Sequence, residues 1–192
     1  MNRRRTRVTV EIALTIALAV VLSMITVWKM PYGGSVSLGM LPLLILALRR
    51  GLAPGLAAGA LYGVIDLLVD PFPPVHWIQP LLDYPIAYLM VGLAGVAHVG
   101  VVRALHRDAR LRASAWIVAG VALAGLGRYT AHFTSGIVFF GEYAPEGQPV
   151  WLYSAIYNLY VPVSAAAALA AALFLVPLLW RVAPTGIDGE IS

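Results

Sequence analysis

Apolar residues run along this chain in long blocks, and the polar residues gather between the blocks. The blocks are too uniformly apolar to be one face of surface helices. They predict helices at about 8–28, 40–49, 52–70, 79–102, 114–140 and 151–180. A helix needs about 20 apolar residues to cross a bilayer, or roughly 17–25 with tilt. The second block is too short unless Val36 to Met40 extend it; otherwise its neighbours shield a short or irregular crossing. The stretches near 29–39, 71–78 and 141–150 hold glycine, proline and aromatic residues, with Asp70, Glu142 and Glu146 as their acids.

Composition carries the same message. Of 192 residues, 60% are hydrophobic and only 11% charged, whereas about a quarter of a soluble domain is charged. The expected architecture is an all-α, multi-pass membrane protein: a six-helix transmembrane bundle in one domain, residues 1–182, with a short cytoplasmic tail at 183–192. Arg3, Arg4, Arg5 and Arg7 before an apolar run imitate a signal peptide. The run from Val8 to Trp28 is longer than such a segment and ends without a small-x-small cleavage site, so it reads as a retained first helix. The absence of cysteine excludes disulfides, thiolate nucleophiles and zinc–thiolate sites.

The net charge of +4 has a topological origin. Of the 13 lysines and arginines, all but Lys29 and Arg128 fall at the N-terminus, at Arg49–Arg50, between Arg103 and Arg112, or at Arg181. Six spans put those four places on one side. The positive-inside rule makes that side the cytoplasm, with both termini in it. No nucleic-acid partner is needed to explain the basic residues.

One apolar block carries chemistry. Arg128, His132, Gly136 and Phe139/Phe140 recur at helical spacing and share a face. Counting ~1.5 Å per residue, His132 lies ~27 Å and Arg128 ~21 Å along a helix entering from the cytoplasm near Ser114. Asp83 lies ~6 Å, Tyr153 ~3 Å and Asn158 ~10 Å below the outer surface on their own helices, and Asp66 is also near an outer end. Polar groups from several helices thus meet in the outer third of the membrane. The other half holds little that is polar beyond Glu11. The pattern describes a cup open to the outside.

A buried Asp costs about 2.5–3.5 kcal/mol on insertion scales and needs a partner. Arg128 is able to pair with Asp66 or with Asp83. If it pairs with Asp66, Asp83 is left to face a cationic ligand. Tyr84, Trp77, Phe139, Phe140 and Trp151 offer π faces to a cation, and Tyr153 and Asn158 offer hydrogen bonds to a heterocycle. Tyr153 and Asn158 are five apart, so they serve one site only at a pocket mouth or a helix irregularity. Ala13 and Ala17, four apart, let another helix approach the first one closely.

Several segments in order then carry a resemblance. Lys29-Met30-Pro31-Tyr32-Gly33-Gly34-Ser35-Val36-Ser37-Leu38, Leu48-Arg49-Arg50-Gly51, Leu82-Asp83-Tyr84-Pro85, Arg128-Tyr129 with His132 and Ser135-Gly136, Tyr143-Ala144-Pro145-Glu146-Gly147, and Trp151-Leu152-Tyr153-Ser154 with Tyr157-Asn158 resemble the thiamine-specific substrate-binding (S) component of energy-coupling factor transporters. The resemblance covers about Glu11 to Pro162. It implies a six-helix bundle in a prokaryotic plasma membrane that binds thiamine from outside, and, as partners, a transmembrane coupling subunit and two cytoplasmic ATPases. By position, Asp83, His132, Tyr153 and Asn158 match the ligand's hydrogen-bonding residues, Gly136 a pocket glycine and Tyr84 an aromatic wall. Phe140 stands where some members have a stacking tryptophan, Asp83 where some have Glu, and Gly39 where an acidic residue is often found. Ala13 and Ala17 match the small-residue patch that docks on the coupling subunit.

The implied ligand agrees with the residues. Thiamine has a fixed thiazolium cation, an aminopyrimidine edge and a hydroxyethyl tail, which a carboxylate, a histidine, aromatic rings and an amide answer. No Gly-x-x-x-x-Gly-Lys phosphate loop is present, so ATP hydrolysis by that route belongs to a partner. A stand-alone, proton-coupled carrier and a binding subunit for another vitamin are the transport alternatives. An intramembrane enzyme using His132 with Asp83 is the alternative of another class; the sequence offers no nucleophile motif or metal cluster for it. No cofactor, metal or catalytic residue is expected.

Overall fold

The computed structural model describes residues 3–69, 71 and 73–184; Asp70 and the tail from 185 onward lie outside the described residues. The chain forms α1 (Arg3–Met24), β1 (Thr26–Lys29), β2 (Ser35–Ser37), α2 (Met40–Arg50) and α3 (Leu52–Val69). A composite helical segment follows: α4 (Gln79–Leu81), a π turn at Leu82–Ile86, α5 (Ala87–Val91), a 3-10 stretch at Gly92–Ala97 and α6 (His98–His106). The chain continues as α7 (Arg110–Phe139), α8 (Val150–Tyr157) and α9 (Tyr160–Val182). Arg5–Met24, Leu52–Val69, Gln79–His106 and Val150–Val182 are long and apolar enough to cross a membrane. Their outward surfaces carry side chains such as Leu14, Leu61, Leu68, Val163 and Phe174, all exposed, as a lipid-facing protein requires.

α2 occupies the middle of the bundle. Eight of its 11 residues are buried, with Leu43, Leu44 and Leu48 packed among Ile117, Val121 and Val176. It ends at Gly51, whose φ of 91° is open to glycine. Of the two alternatives for the short second block, the extension through Val36 does not form. Residues 35–37 instead pair antiparallel with 26–29, in the register Trp28↔Val36 and Lys29↔Ser35. The hairpin also shortens the first helix, which stops at Met24 rather than Trp28.

Glycine sets the tightest contact in the bundle. Gly51, Gly55, Gly59 and Gly63 recur every fourth residue, and the last three lie on one face of α3. Along that line α3 meets the backbone of the composite segment at Gly95, Gly92, Tyr88 and Tyr84 in turn. A Cβ on Gly63 would stand 2.5 Å from the Tyr84 carbonyl oxygen and 2.6 Å from Pro85 Cα. Two backbones approach this closely only without side chains between them. Pro85 explains the π turn: it has no N–H to donate and its ring crowds the preceding turn. The backbone widens there, and Ala87 N–H returns to Leu82 O.

Polar groups divide by end. At one end Glu11 of α1 pairs with Arg50 of α2, Arg49 donates to Ala183 O at 2.6 Å, and His98 Nδ1 meets Leu48 O at 3.0 Å. At the opposite end the hairpin and the adjoining helix ends surround a cavity.

Candidate ligand-binding site

The cavity holds about 360 Å³ and is walled by the hairpin, α3, the start of the composite segment, α7, α8 and α9. Asp83, Tyr84, His132, Gly136, Phe140, Tyr153 and Asn158 all line it. α7 supplies His132, Gly136 and Phe140 from one face, with Arg128 one turn earlier. Gly136 lets α8 close in, since a Cβ there would collide with the Ser154 hydroxyl. The five-residue spacing of Tyr153 and Asn158 is resolved by a break: α8 ends at Tyr157 and α9 restarts at Tyr160. Asn158, buried at the break, donates Nδ2 to Ser154 O at 2.9 Å and His132 O at 3.3 Å, which leaves Oδ1 as its uncommitted end.

The electrostatic core differs from expectation. Arg128 pairs with neither carboxylate. Its guanidinium lies 4.4 Å from the centroid of the Tyr88 ring, donates to Tyr88 Oη at 3.1 Å and contacts Met40 Sδ at 3.7 Å. Tyr88 of α5 thus takes the place expected of a carboxylate, and Asp66 accepts from Tyr62 Oη at 2.9 Å. Asp83 has no arginine, but it is not idle. Its Oδ2 accepts from Gln79 Nε2 at 2.6 Å and Ser135 Oγ at 2.8 Å, and its Oδ1 lies 3.1 Å from His132 Nδ1. The carboxylate is therefore held by three side-chain contacts, none of them from an arginine.

The aromatic wall is also redistributed. Trp77 and Trp151 are 74% and 58% exposed, and Phe139 stacks on His76 with ring centroids 5.3 Å apart; none of the three lines the cavity. Tyr32, Tyr88, Tyr157 and Tyr160 do. Tyr32 of the hairpin packs on Tyr143 at 4.4 Å, and Tyr157 Oη both accepts from Tyr32 N–H at 2.8 Å and donates to Gly33 O at 3.0 Å. The backbone of Gly34 rests against the Tyr160 ring, which lies 5.7 Å from His132. Gln79, Tyr88 and Tyr160 did not stand out in the sequence, and Ser135, Tyr32 and Tyr157 entered only within longer segments, with no role of their own. Gln79 and Ser135 carried a usable signal, standing one helical turn from Asp83 and from His132.

An apolar helical body with a polar, aromatic-lined cavity at one end defines a membrane-embedded protein that binds a small molecule. More narrowly, the chain belongs to the thiamine transporter protein family, whose pattern matches residues 9–184. It is similar to the thiamine transporter ThiT of Bacillus subtilis, 38% identical over 151 residues, covering 78% of this chain and 79% of that protein. ThiT of Lacticaseibacillus paracasei is 38% identical over 123 residues, covering 62% and 61%. The solved structure of ThiT from Listeria monocytogenes superposes with a TM-score of 0.80 at 27% identity, covering 95% of this chain and 97% of that one. The family is one of transport proteins rather than enzymes.

Proposed function

We propose that this chain is the thiamine-binding subunit of an ATP-driven vitamin importer in a prokaryotic plasma membrane. The observation that carries the reading is the Asp83 carboxylate, hydrogen-bonded at 3.1 Å to His132 and set among aromatic rings in a cavity of about 360 Å³. Ligand cavities for small molecules start near ~300 Å³. In this reading Asp83 balances the thiazolium charge. His132, Tyr153 and Asn158 bond the heteroatoms, Tyr84 and Phe140 flank the rings, and Gly136 leaves room for them.

The topology follows the charges. α2 and α7 cross the bilayer with the four segments already named, giving six spans in a single domain. The arginine-rich end faces the cytoplasm with both termini, and the cavity opens in the outer leaflet. Ala13 and Ala17 are exposed on α1, suited to close approach by a transmembrane coupling subunit that carries two ATPases.

Reconstitution tests the reading. Purified protein in vesicles is expected to bind labelled thiamine but accumulate it only when the coupling subunit, ATPases and ATP are added. Accumulation by the isolated chain, abolished by dissipating a proton gradient, would establish the stand-alone carrier instead. Recovery of chemically altered thiamine would establish an enzyme.

A further inference from the structure

Gln79 opens α4 four residues before Asp83, so one helical turn brings its amide to the carboxylate, and Nε2 donates to Oδ2 at 2.6 Å. The side chain is 2% exposed. A primary amide has one donating and one accepting end, and a carboxylate only accepts. The contact therefore fixes the amide and turns Oε1 away from Asp83. Oε1 has no hydrogen-bond partner among the described residues. His132 is oriented by the same carboxylate: Nδ1 faces Oδ1, which only accepts, so a neutral ring donates from Nδ1 and offers Nε2 as an acceptor; Nε2 too is without a partner among the described residues. One carboxylate thus orients two side chains that line the cavity, each holding an unpaired acceptor atom that is itself shielded from solvent. Buried acceptors left unpaired are unfavourable, and a ligand that brings donors relieves both.

We infer that Gln79 is a specificity-determining residue: its Oε1, together with His132 Nε2, selects a ligand edge carrying a donor with two hydrogens, a primary amine on an aromatic ring. The inference rests on the thiamine reading. Thiamine's amino group on the pyrimidine fits this description, whereas its hydroxyl has a single hydrogen to give.

The test compares calorimetric affinities for thiamine and for oxythiamine, in which that amino group is an oxo group, in the full-length protein. The unaltered protein is expected to prefer thiamine, and Gln79→Met to narrow the preference by about tenfold. Ser135→Ala removes a different donor from the same carboxylate oxygen and is expected to weaken both ligands with the preference kept. Should Gln79→Met fail to fold, Gln79→Leu removes the same acceptor and is expected to narrow the preference by a similar factor. Equal weakening of both ligands in Gln79→Met overturns the inference alone, because a purely structural role does not distinguish them. Lost preference in Ser135→Ala, or full preference in Gln79→Leu, also overturns it. An unaltered protein with no affinity for thiamine overturns the thiamine reading and this inference with it.

Discussion

Asp83 and His132 stand 49 residues apart in sequence, yet their side chains meet at 3.1 Å inside the bundle. Both are nearly shielded from solvent, with side-chain exposures of 15% and 8%. The pair joins the composite segment to α7 and brings a carboxylate to the cavity wall without an arginine to neutralise it.

Asp83→Asn removes that charge while keeping size and shape. The mutant amide also turns a donor toward groups that already donate. Loss of a buried charge interaction is worth about 3 kcal/mol, roughly a hundredfold in affinity. Isothermal titration calorimetry with thiamine checks this; an unaltered dissociation constant sinks the charge argument. Calorimetry is preferable to tryptophan quenching, since the cavity lining includes no tryptophan among the described residues.

Tyr157→Phe deletes the hydroxyl that holds the hairpin through Tyr32 N–H and Gly33 O. The expected result is a hairpin that leaves more easily and a thiamine dissociation rate raised about fivefold or more. Washout of labelled thiamine measures the rate, and an unchanged rate argues that the tyrosine tether is idle.

Gly63→Val places a side chain against the backbone at Tyr84 and Pro85, which has no room to give. Overpacking of this kind costs ~1–3 kcal/mol and is expected to lower the melting temperature in detergent by about 5 °C. Gly141→Ala, whose Cβ meets Val150 at an ordinary 3.4 Å, is expected to leave it unchanged. Equal melting points for both variants would show that the glycine contact is slack.

Ala13→Trp adds bulk to an exposed face of α1. Thiamine affinity is expected to stay at the unaltered value, while co-purification with the coupling subunit is lost. Normal co-purification would count against the proposed docking role of Ala13 and Ala17.

Residue chemistry revealed more of the site than residue geometry did. Polar side chains inside apolar blocks are conspicuous, so Asp83, His132 and Asn158 stood out, and helical depth put them at one end. Partner choice was not legible. Arg128 turns to Tyr88 because that ring shares its buried layer, a relation no spacing along one helix reveals. Tryptophans drew attention as aromatic surfaces, yet Trp77 and Trp151 face outward, while tyrosines with hydroxyls to satisfy took the cavity. The hairpin hid in an apolar run continuous with α1, since Thr26–Lys29 is as compatible with a helix end as with a strand. The Gly55, Gly59 and Gly63 ladder was present at a regular spacing, but its meaning depended on the second backbone lying against it.

The π turn at Leu82–Ile86 amounts to one surplus residue in an otherwise α-helical course. Closing it to α geometry by a single deletion would rotate everything upstream by ~100° about the helix axis. Gln79 and Asp83 would turn out of line with His132 and Ser135, and the carboxylate's grip on the imidazole would go with them. The cluster is thus a matter of phase: its polar groups converge where the helix falls one step out of register as it passes Pro85.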